Sequence, residues 1–264
     1  MAADIYIGTS GWHYNHWLGT FYPPEVKGYY ELKHHAQHFD TVENNSSFYR
    51  VAGSGTYKTW DRMTPEGYVF SIKLNKFITH THRLVLNDEV RERIATILDS
   101  TQTLGQKVGA IVIQLPASFK YDLPVLQQFL AYFTAEVRRR EHPFDMAIEF
   151  RHKRWLIDEV YKVLKDNNVA LVAGQSSRWP EERRVTADVV YIRMHGPREL
   201  FSSSYTSDEL LEWADYIRKV SKRTKRVYIY FNNDFHGYAL DNAKELMRLL
   251  DIKSINPSDS LAGS

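Results

Sequence analysis

The chain has 264 residues, 43% hydrophobic and 25% charged, with a net charge of +2 at neutral pH. That suffices for one (β/α)8 domain, which takes about 250 residues, while the charge is too small to argue by itself for a nucleic-acid partner. No cysteine is present, which excludes disulfides, thiol catalysis and thiolate metal ligation, and no apolar run approaches the roughly 20 residues of a membrane span.

Eight short apolar-rich segments, at 5–10, 41–46, 69–74, 110–115, 146–151, 169–174, 189–195 and 226–233, are predicted as strands. The first follows Met1 to Asp4 with neither a basic region nor a signal core, so a cytoplasmic protein without a membrane partner is expected. Between most strands lie stretches of helical period, at 88–104, 123–140, 155–167, 207–223 and 240–250. Thr206, three residues ahead of Glu209, fits a capping box at the start of one of them. The connection from Gln175 to Asp188 lacks helical period, so a loop or short turn is expected there. Strands alternating with helices argue for a parallel sheet, and eight of them argue for closure. The predicted fold is therefore α/β, a single-domain (β/α)8 TIM barrel over 1–255, irregular around strand six, with a disordered tail at 256–264.

Successive side chains of a strand point to opposite faces. In Met146 to Arg151 the even residues are Met, Ile and Phe and the odd ones Ala, Glu and Arg, and the segments 190–195 and 227–232 alternate in the same way. The aliphatic parity faces helices, which turns the polar parity into the barrel. Carried through the strands, this sends inward Tyr6, Gly8 and Ser10, then Thr41, Glu43 and Asn45, Ser71 and Lys73, and Val112 and Gln114. It continues with Glu149 and Arg151, then Tyr191, Arg193 and His195, and finally Tyr228, Tyr230 and Asn232. In parallel barrels reacting groups sit at strand carboxyl ends, so the later members of each set converge on one mouth.

The strand ends also carry motifs. Gly8-Thr9-Ser10-Gly11-Trp12 with Trp17 and Phe21-Tyr22-Pro23, and then Asp40 through Tyr49, are followed by Ile78-Thr79-His80 and Arg83-Leu84. Gln114-Leu115-Pro116, Ala147 through His152 and Tyr228 through Asn233 complete the series. With these motifs nearly the whole chain resembles the YecE-like family, known as domain of unknown function 72. The resemblance implies a TIM barrel with loose kinship to sugar isomerases and endonucleases of related barrel shape, and it supplies no reaction. One departure is Asn44, where an aliphatic Ile is more usual, and it bears on the helix-facing packing of strand two.

Chemistry must be argued from the residues. Glu43 and Glu149 could face each other as a carboxylate pair, the arrangement glycoside hydrolysis uses, or each could be an ion-paired core group held by Lys73, Arg151 or Arg193. Lys73, Arg151, Arg193 and His195 outnumber the two glutamates, which points to a small anionic or phosphate-containing ligand clamped by Lys73, Arg151 and Arg193. His195 could serve with Glu149 in proton transfer, or be a structural histidine. Asn45, Gln114 and Asn232 would orient polar groups of the ligand. Trp12, Tyr14, Trp17, Phe48 and Tyr49 fall in the first two βα loops, where Trp12 and Tyr49 could wall the ligand or the group could plug the loops onto the barrel. Gly196-Pro197-Arg198 and Asn233 through Gly237 lie where barrels often hold phosphate.

The leading expectation is an isomerase or hydrolase acting by acid/base chemistry on a small anionic, sugar-like substrate. One alternative is a metal-dependent enzyme on nucleic acid. Its divalent metal would be drawn from His80, His82, His195, His236, Glu43, Glu149 and Asp234, although no HExxH or comparable helical spacing occurs. The other alternative is a non-catalytic anion-binding protein. The basic runs Arg138-Arg139-Arg140 and 219–226 fall where helices end and strands begin, opposite the predicted mouth, and read as solvated helix ends.

Overall fold

A computed structural model describes residues 3–28 and 30–253, so the predicted tail at 256–264 lies outside the described residues. Among those residues eight parallel strands close a barrel in chain order. They are β1 Asp4–Thr9, β2 Thr41–Asn44, β3 Val69–Lys73, β4 Val108–Gln114, β5 Asp145–Glu149, β6 Ala170–Gln175, β7 Val189–Met194 and β8 Arg226–Phe231. Closure rests on β1 pairing with β8 through six matched residues, Asp4 with Arg226 through Thr9 with Phe231. Strands and crossovers approach closely at Gly8, where a Cβ would lie 2.2 Å from the Thr41 carbonyl oxygen, so only glycine fits.

The helices are α1 Tyr30–His35, α2 Ser46–Tyr49, α3 Ser54–Met63, α4 Asp88–Thr101, α5 Leu123–Arg138, α6 Asp158–Asn167, α7 Ser207–Ser221 and α8 Tyr238–Leu249. The capping box at Thr206 and Glu209 forms, and Asn87 and Asp122 cap α4 and α5 by accepting from the backbone N–H three residues on. Two helix boundaries differ from expectation by three residues and the other differences are of one or two. Helix α6 begins at Asp158 because Trp155 ends a short 3-10 turn and is pinned by an indole N–H donated to the Phe119 carbonyl at 2.8 Å. Helix α4 stops at Thr101, and a 3-10 segment, Gln102–Lys107, carries the chain to β4 through Gly105 at φ 55°.

Strand two also ends earlier than predicted, so Asn45 and Ser46 are not strand residues. The Asn44 side chain accepts the Ser47 backbone N–H at 3.1 Å and turns the chain into α2. The buried Asn44 side chain thus makes a local hydrogen bond where helix-facing apolar packing would otherwise be expected.

No helix follows β6. The segment crosses from Gln175 to Val189 as an irregular strap, as its lack of period predicts. Thr186 ties it to the start of β6, donating to the Val169 carbonyl at 2.7 Å and accepting the Leu171 N–H at 2.8 Å. Arg183 lies 3.9 Å from the Trp213 ring centroid and Arg184 4.4 Å from that of Tyr161, so cation–π contacts on α7 and α6 replace a packed helix.

Aliphatic residues of the outward parity, such as Ile111, Ile113, Ile192 and Ile229, are buried against the helices. Each such side chain contributes about 1.5–3 kcal/mol of transfer free energy. The barrel interior is layered. At the amino-terminal end Arg226 and Tyr228 both donate to Asp145 Oδ2, at 2.6 and 2.8 Å. Above lie Val112, Ala147, Ala170 and Val172, with Tyr191 and Tyr230, whose hydroxyls meet Ser71 at 2.6 Å and Thr41 at 2.7 Å. The interior is thus a filled core that supports a charged layer at the carboxyl end.

Candidate functional site

The charged layer is built from four strands. Glu43 from β2 is fully buried and receives five donors: Ser10 Oγ at 2.7 Å, Asn45 Nδ2 at 3.2 Å, Tyr191 hydroxyl at 2.7 Å, and Arg193 through Nε at 2.9 Å and Nη2 at 2.7 Å. Arg193 from β7 also donates through Nη1 to Glu149 Oε2. Glu149, at the end of β5, accepts Arg151 Nε on its other oxygen at 2.9 Å. Both carboxyls are held ionised: burial would raise them, but for Glu43 the Arg193 charge and hydrogen bonds prevail, and for Glu149 the Arg151 and Arg193 charges do, holding it well below the carboxylate range. Neither is kept protonated, so the pair is not the acid-plus-carboxylate arrangement of a glycoside hydrolase. The ion-paired alternative describes them.

Arg193 is therefore committed at all three of its nitrogens and is only 1% exposed. It bridges the two glutamates instead of clamping a ligand. Arg151 differs: only its Nε is hydrogen-bonded among the described residues, and its guanidinium stacks 3.5 Å from the Trp179 ring centroid. Trp179 comes from the strap after β6, and no sequence pattern pointed to it. A helix in that connection would have packed outside the barrel, whereas the strap brings Trp179 onto Arg151 and His195. Replacing Trp179 with alanine is expected to lower stability by about 1–2 kcal/mol, the scale of one partly desolvated cation–π contact. Urea denaturation measures it, and an unchanged midpoint would show that the stack holds nothing.

Lys73, last residue of β3, is the remaining cation. Its Nζ makes no hydrogen bond or ion pair among the described residues and sits 4.3 Å from the Phe48 ring centroid. Burial and the neighbouring Arg193 charge bring its ammonium down to about 7, against the opposing pull of Glu149 and Glu43. Since two guanidiniums balance two carboxylates, the protonation of Lys73 sets the net charge of the mouth.

His195 lies one residue beyond β7 and is fully buried, with Trp179 and Phe201 ring centroids at 5.4 and 5.7 Å. Asn232 Nδ2 donates to its Nδ1 at 3.2 Å, which leaves the ring proton on Nε2, 3.4 Å from Glu149 Oε1. Burial lowers its pKa to about 4 against the pull of Glu149, so it is neutral near pH 7. It stands behind Glu149 and not on the open mouth.

The mouth itself is a cavity of about 410 Å³. Asn45, Lys73, Gln114, Arg151 and Asn232 give its polar wall, together with His80 from the turn Phe77–Thr81 after β3. Tyr14, Phe48, Tyr49 and Phe201 give its aromatic rim, and Tyr49 is 71% exposed. Asn45 Oδ1 is buried there without a hydrogen-bond partner among the described residues, an acceptor available to a ligand hydroxyl or ammonium. Trp12, expected at the ligand wall, is instead packed edge-on to Trp60 at 5.0 Å, and Trp17 is buried. The aromatic cluster of the first loops thus divides into rim and packing.

The expected phosphate loops do not join this mouth. The Gly196 N–H is taken by the Tyr205 hydroxyl at 3.0 Å, and Arg198 is paired with Glu209 at 2.8 Å. Phe235, His236 and Gly237 face a separate cleft with His16, whose Nε2 meets Asp234 at 2.9 Å. Nor do the seven residues considered for a metal come together: among the described residues no group of three or more carboxylate and imidazole side chains could hold one. The donor set is also poor, because the Glu43 and Glu149 oxygens are occupied by protein cations and hydroxyls. The basic runs lie as expected at helix ends and are partly paired, Arg139 and Arg140 with Glu136 and Lys225 with Asp188.

A family model described as "Protein of unknown function DUF72" matches residues 6–262. The UPF0759 protein YunF of Bacillus subtilis is 24% identical over 94% of this chain and 95% of its own length. A solved DUF72 family protein from Thermotoga maritima is 25% identical and superposes with a TM-score of 0.80 over 94% of this chain and 99% of that one. A D-psicose 3-epimerase structure, at 10% identity and a TM-score of 0.55 over 86% of this chain and 94% of its own, shares the barrel fold alone.

Proposed function

The chain belongs to the DUF72 family of TIM-barrel proteins, and from that premise we propose that its barrel mouth is an enzyme site transferring protons on a small anionic, sugar-like substrate. The observation that carries this reading is Lys73: a cation without an ionic partner among the described residues, at a strand carboxyl end, in a cavity of about 410 Å³. That volume lies in the range of small-molecule sites, which run from about 300 to 1,000 Å³.

The residues divide the work as follows. Arg151, fixed by Glu149 and Trp179, presents its two unoccupied Nη nitrogens to a carboxylate or phosphate. Asn45, Gln114 and Asn232 supply amide groups for hydroxyls, and Tyr49 and Phe48 supply apolar faces. Lys73 is the proton-transfer group, because a base poised near 7 is matched to neutral pH. Glu149, acidified by Arg151 and Arg193, is too weak a base for the role expected of it from sequence. His195 is better read as a positioning residue behind that carboxylate, and Arg193 and Glu43 as the rigid floor.

Sugar phosphates and sugar acids incubated in deuterium oxide test this without knowledge of the product. Wild type is expected to exchange a carbon-bound proton of at least one such compound, at a rate rising with pH through about 7 as Lys73 loses its proton. Lys73→Gln is expected to lose at least about a hundredfold of that rate, the scale of one general acid/base group. Binding of these anions with neither exchange nor conversion would leave the non-catalytic reading in place, and undiminished exchange by Lys73→Gln would remove Lys73 from the chemistry.

A further inference from the structure

Resting on the reading of the mouth as a site for a small anion, we propose that Lys73 forms a covalent imine with its substrate, which is therefore an aldehyde or ketone bearing a carboxylate or phosphate. Proton transfer alone would not need a lysine, and a buried imidazole or carboxylate would serve. What this mouth presents is an amine whose nitrogen has no hydrogen-bonding or ionic partner among the described residues and lies 4.3 Å from the Phe48 ring centroid. Around that nitrogen the charges are set by other strands. Arg193 of β7 and Arg151 beyond β5 favour the free amine, while Glu149 of β5 and Glu43 of β2 oppose it with oxygens already committed to those guanidiniums. A desolvated lysine beside a second cation is a recurrent way of making an amine nucleophilic at neutral pH.

The step balances with no added reagent. The Nζ lone pair attacks the carbonyl carbon, the C–N bond forms and the carbonyl oxygen takes up a proton. The nitrogen then passes its extra proton to the same oxygen, and the nitrogen lone pair expels that oxygen, now carrying two protons, as water to give the C=N bond. One carbonyl compound and one lysine ammonium become one protonated imine and one water, and the positive charge is conserved on nitrogen. The anionic group of the substrate, seated on Arg151, offsets that charge. The unpartnered Asn45 Oδ1 is placed to accept a hydrogen bond from a substrate hydroxyl or from the carbinolamine. The protonated imine then acidifies the adjacent C–H, which joins this step to the proton transfer proposed above.

The experiment is reductive trapping. Purified full-length protein is incubated separately with dihydroxyacetone phosphate and with glyoxylate in the presence of cyanoborohydride, followed by intact-mass measurement and peptide mapping. One adduct is expected, on Lys73, and the compound that forms it faster tells whether phosphate or carboxylate is the recognised anion. At pH 7 the free-amine fraction of Lys73 exceeds that of an ordinary lysine by about a thousandfold, so Lys73 should be labelled long before surface lysines such as Lys76. Labelling should lose its selectivity in urea and should disappear from that peptide in Lys73→Met, while Lys76→Met keeps it. Circular dichroism of Lys73→Met verifies that the loss is not unfolding. Labelling of Lys73 no faster than that of Lys76 overturns the proposal. If calorimetry shows either compound binding while Lys73 stays unlabelled, the imine is wrong and the anion site survives. If neither compound binds nor labels, both readings fall for these substrate classes.

Discussion

Arg193→Met is expected to leave the protein unfolded, or at best barely folded, at neutral pH. The substitution roughly conserves volume but strips Glu43 of its cation, and Glu43 lies fully buried with three of its five hydrogen bonds donated by Ser10, Asn45 and Tyr191 and two by Arg193 itself. Removing one partner of a buried pair costs about 3–5 kcal/mol, and the Glu149 contact is lost as well. Domains of this size have only about 5–15 kcal/mol to lose. The pH dependence gives a second signature. In wild type the folded-state pKa values of both glutamates are depressed, so their stabilisation is present above the unfolded value near 4.3 and fades as pH falls through the lower folded values. In Arg193→Met, Glu43 loses the cation that opposed its burial, its folded pKa rises, and stability instead falls as pH climbs. Urea melts at pH 5 and pH 8 read this directly. A variant as stable as wild type, or equally destabilised at both values, would show that the bridge is not what holds the layer together.

Lys73→Met is expected to do the reverse to stability while abolishing chemistry. Burial and the Arg193 charge disfavour the Lys73 ammonium in the folded state, bringing it to about 7 from an ordinary lysine's 10.5. The unfolded chain therefore binds the extra proton between those values. The resulting penalty on the fold is complete below pH 7 and fades as pH rises toward 10. Removing the charge should stabilise the protein at pH 6 by something on the order of 2 kcal/mol, discounted because the amine opens to the mouth and is partly solvated. The gain should shrink steadily above pH 7. A site that holds an unpaired cation at a cost in stability is what a functional constraint looks like. Loss of stability in Lys73→Met at pH 6 would mean that the lysine is an ordinary packed residue.

Much of this was legible along the chain. Period-two alternation in Met146 to Arg151 and Val190 to His195 identified which parity faced inward, and Glu149, Arg151 and Arg193 do meet at one end of the barrel. The missing helix after β6 was visible as missing period. The boundary errors arose where side chains overrode propensity locally, as at Asn44, which bends the chain into α2, and Trp155, which delays α6.

Roles within the layer were less legible, because a residue's type does not state its partner. Arg193 in β7 and Arg151, two residues beyond β5, are the same residue type on the same inward parity, yet one is saturated by two carboxylates and the other has only its Nε hydrogen-bonded among the described residues and stacks on Trp179. His195 counted as a positive group in the sequence and is neutral in the fold. Phe201 reaches the mouth, and Trp179 the Arg151 that lines it, from loops whose path no periodicity describes.

By itself the sequence determined the barrel and the set of polar side chains pointing into it, since alternation along a strand is local and survives any arrangement of neighbours. Only the tertiary structure decided which charges cancel, which histidine is buried and which lysine is left over. Those outcomes depend on distances between strands far apart in the chain and on the low polarity their packing creates.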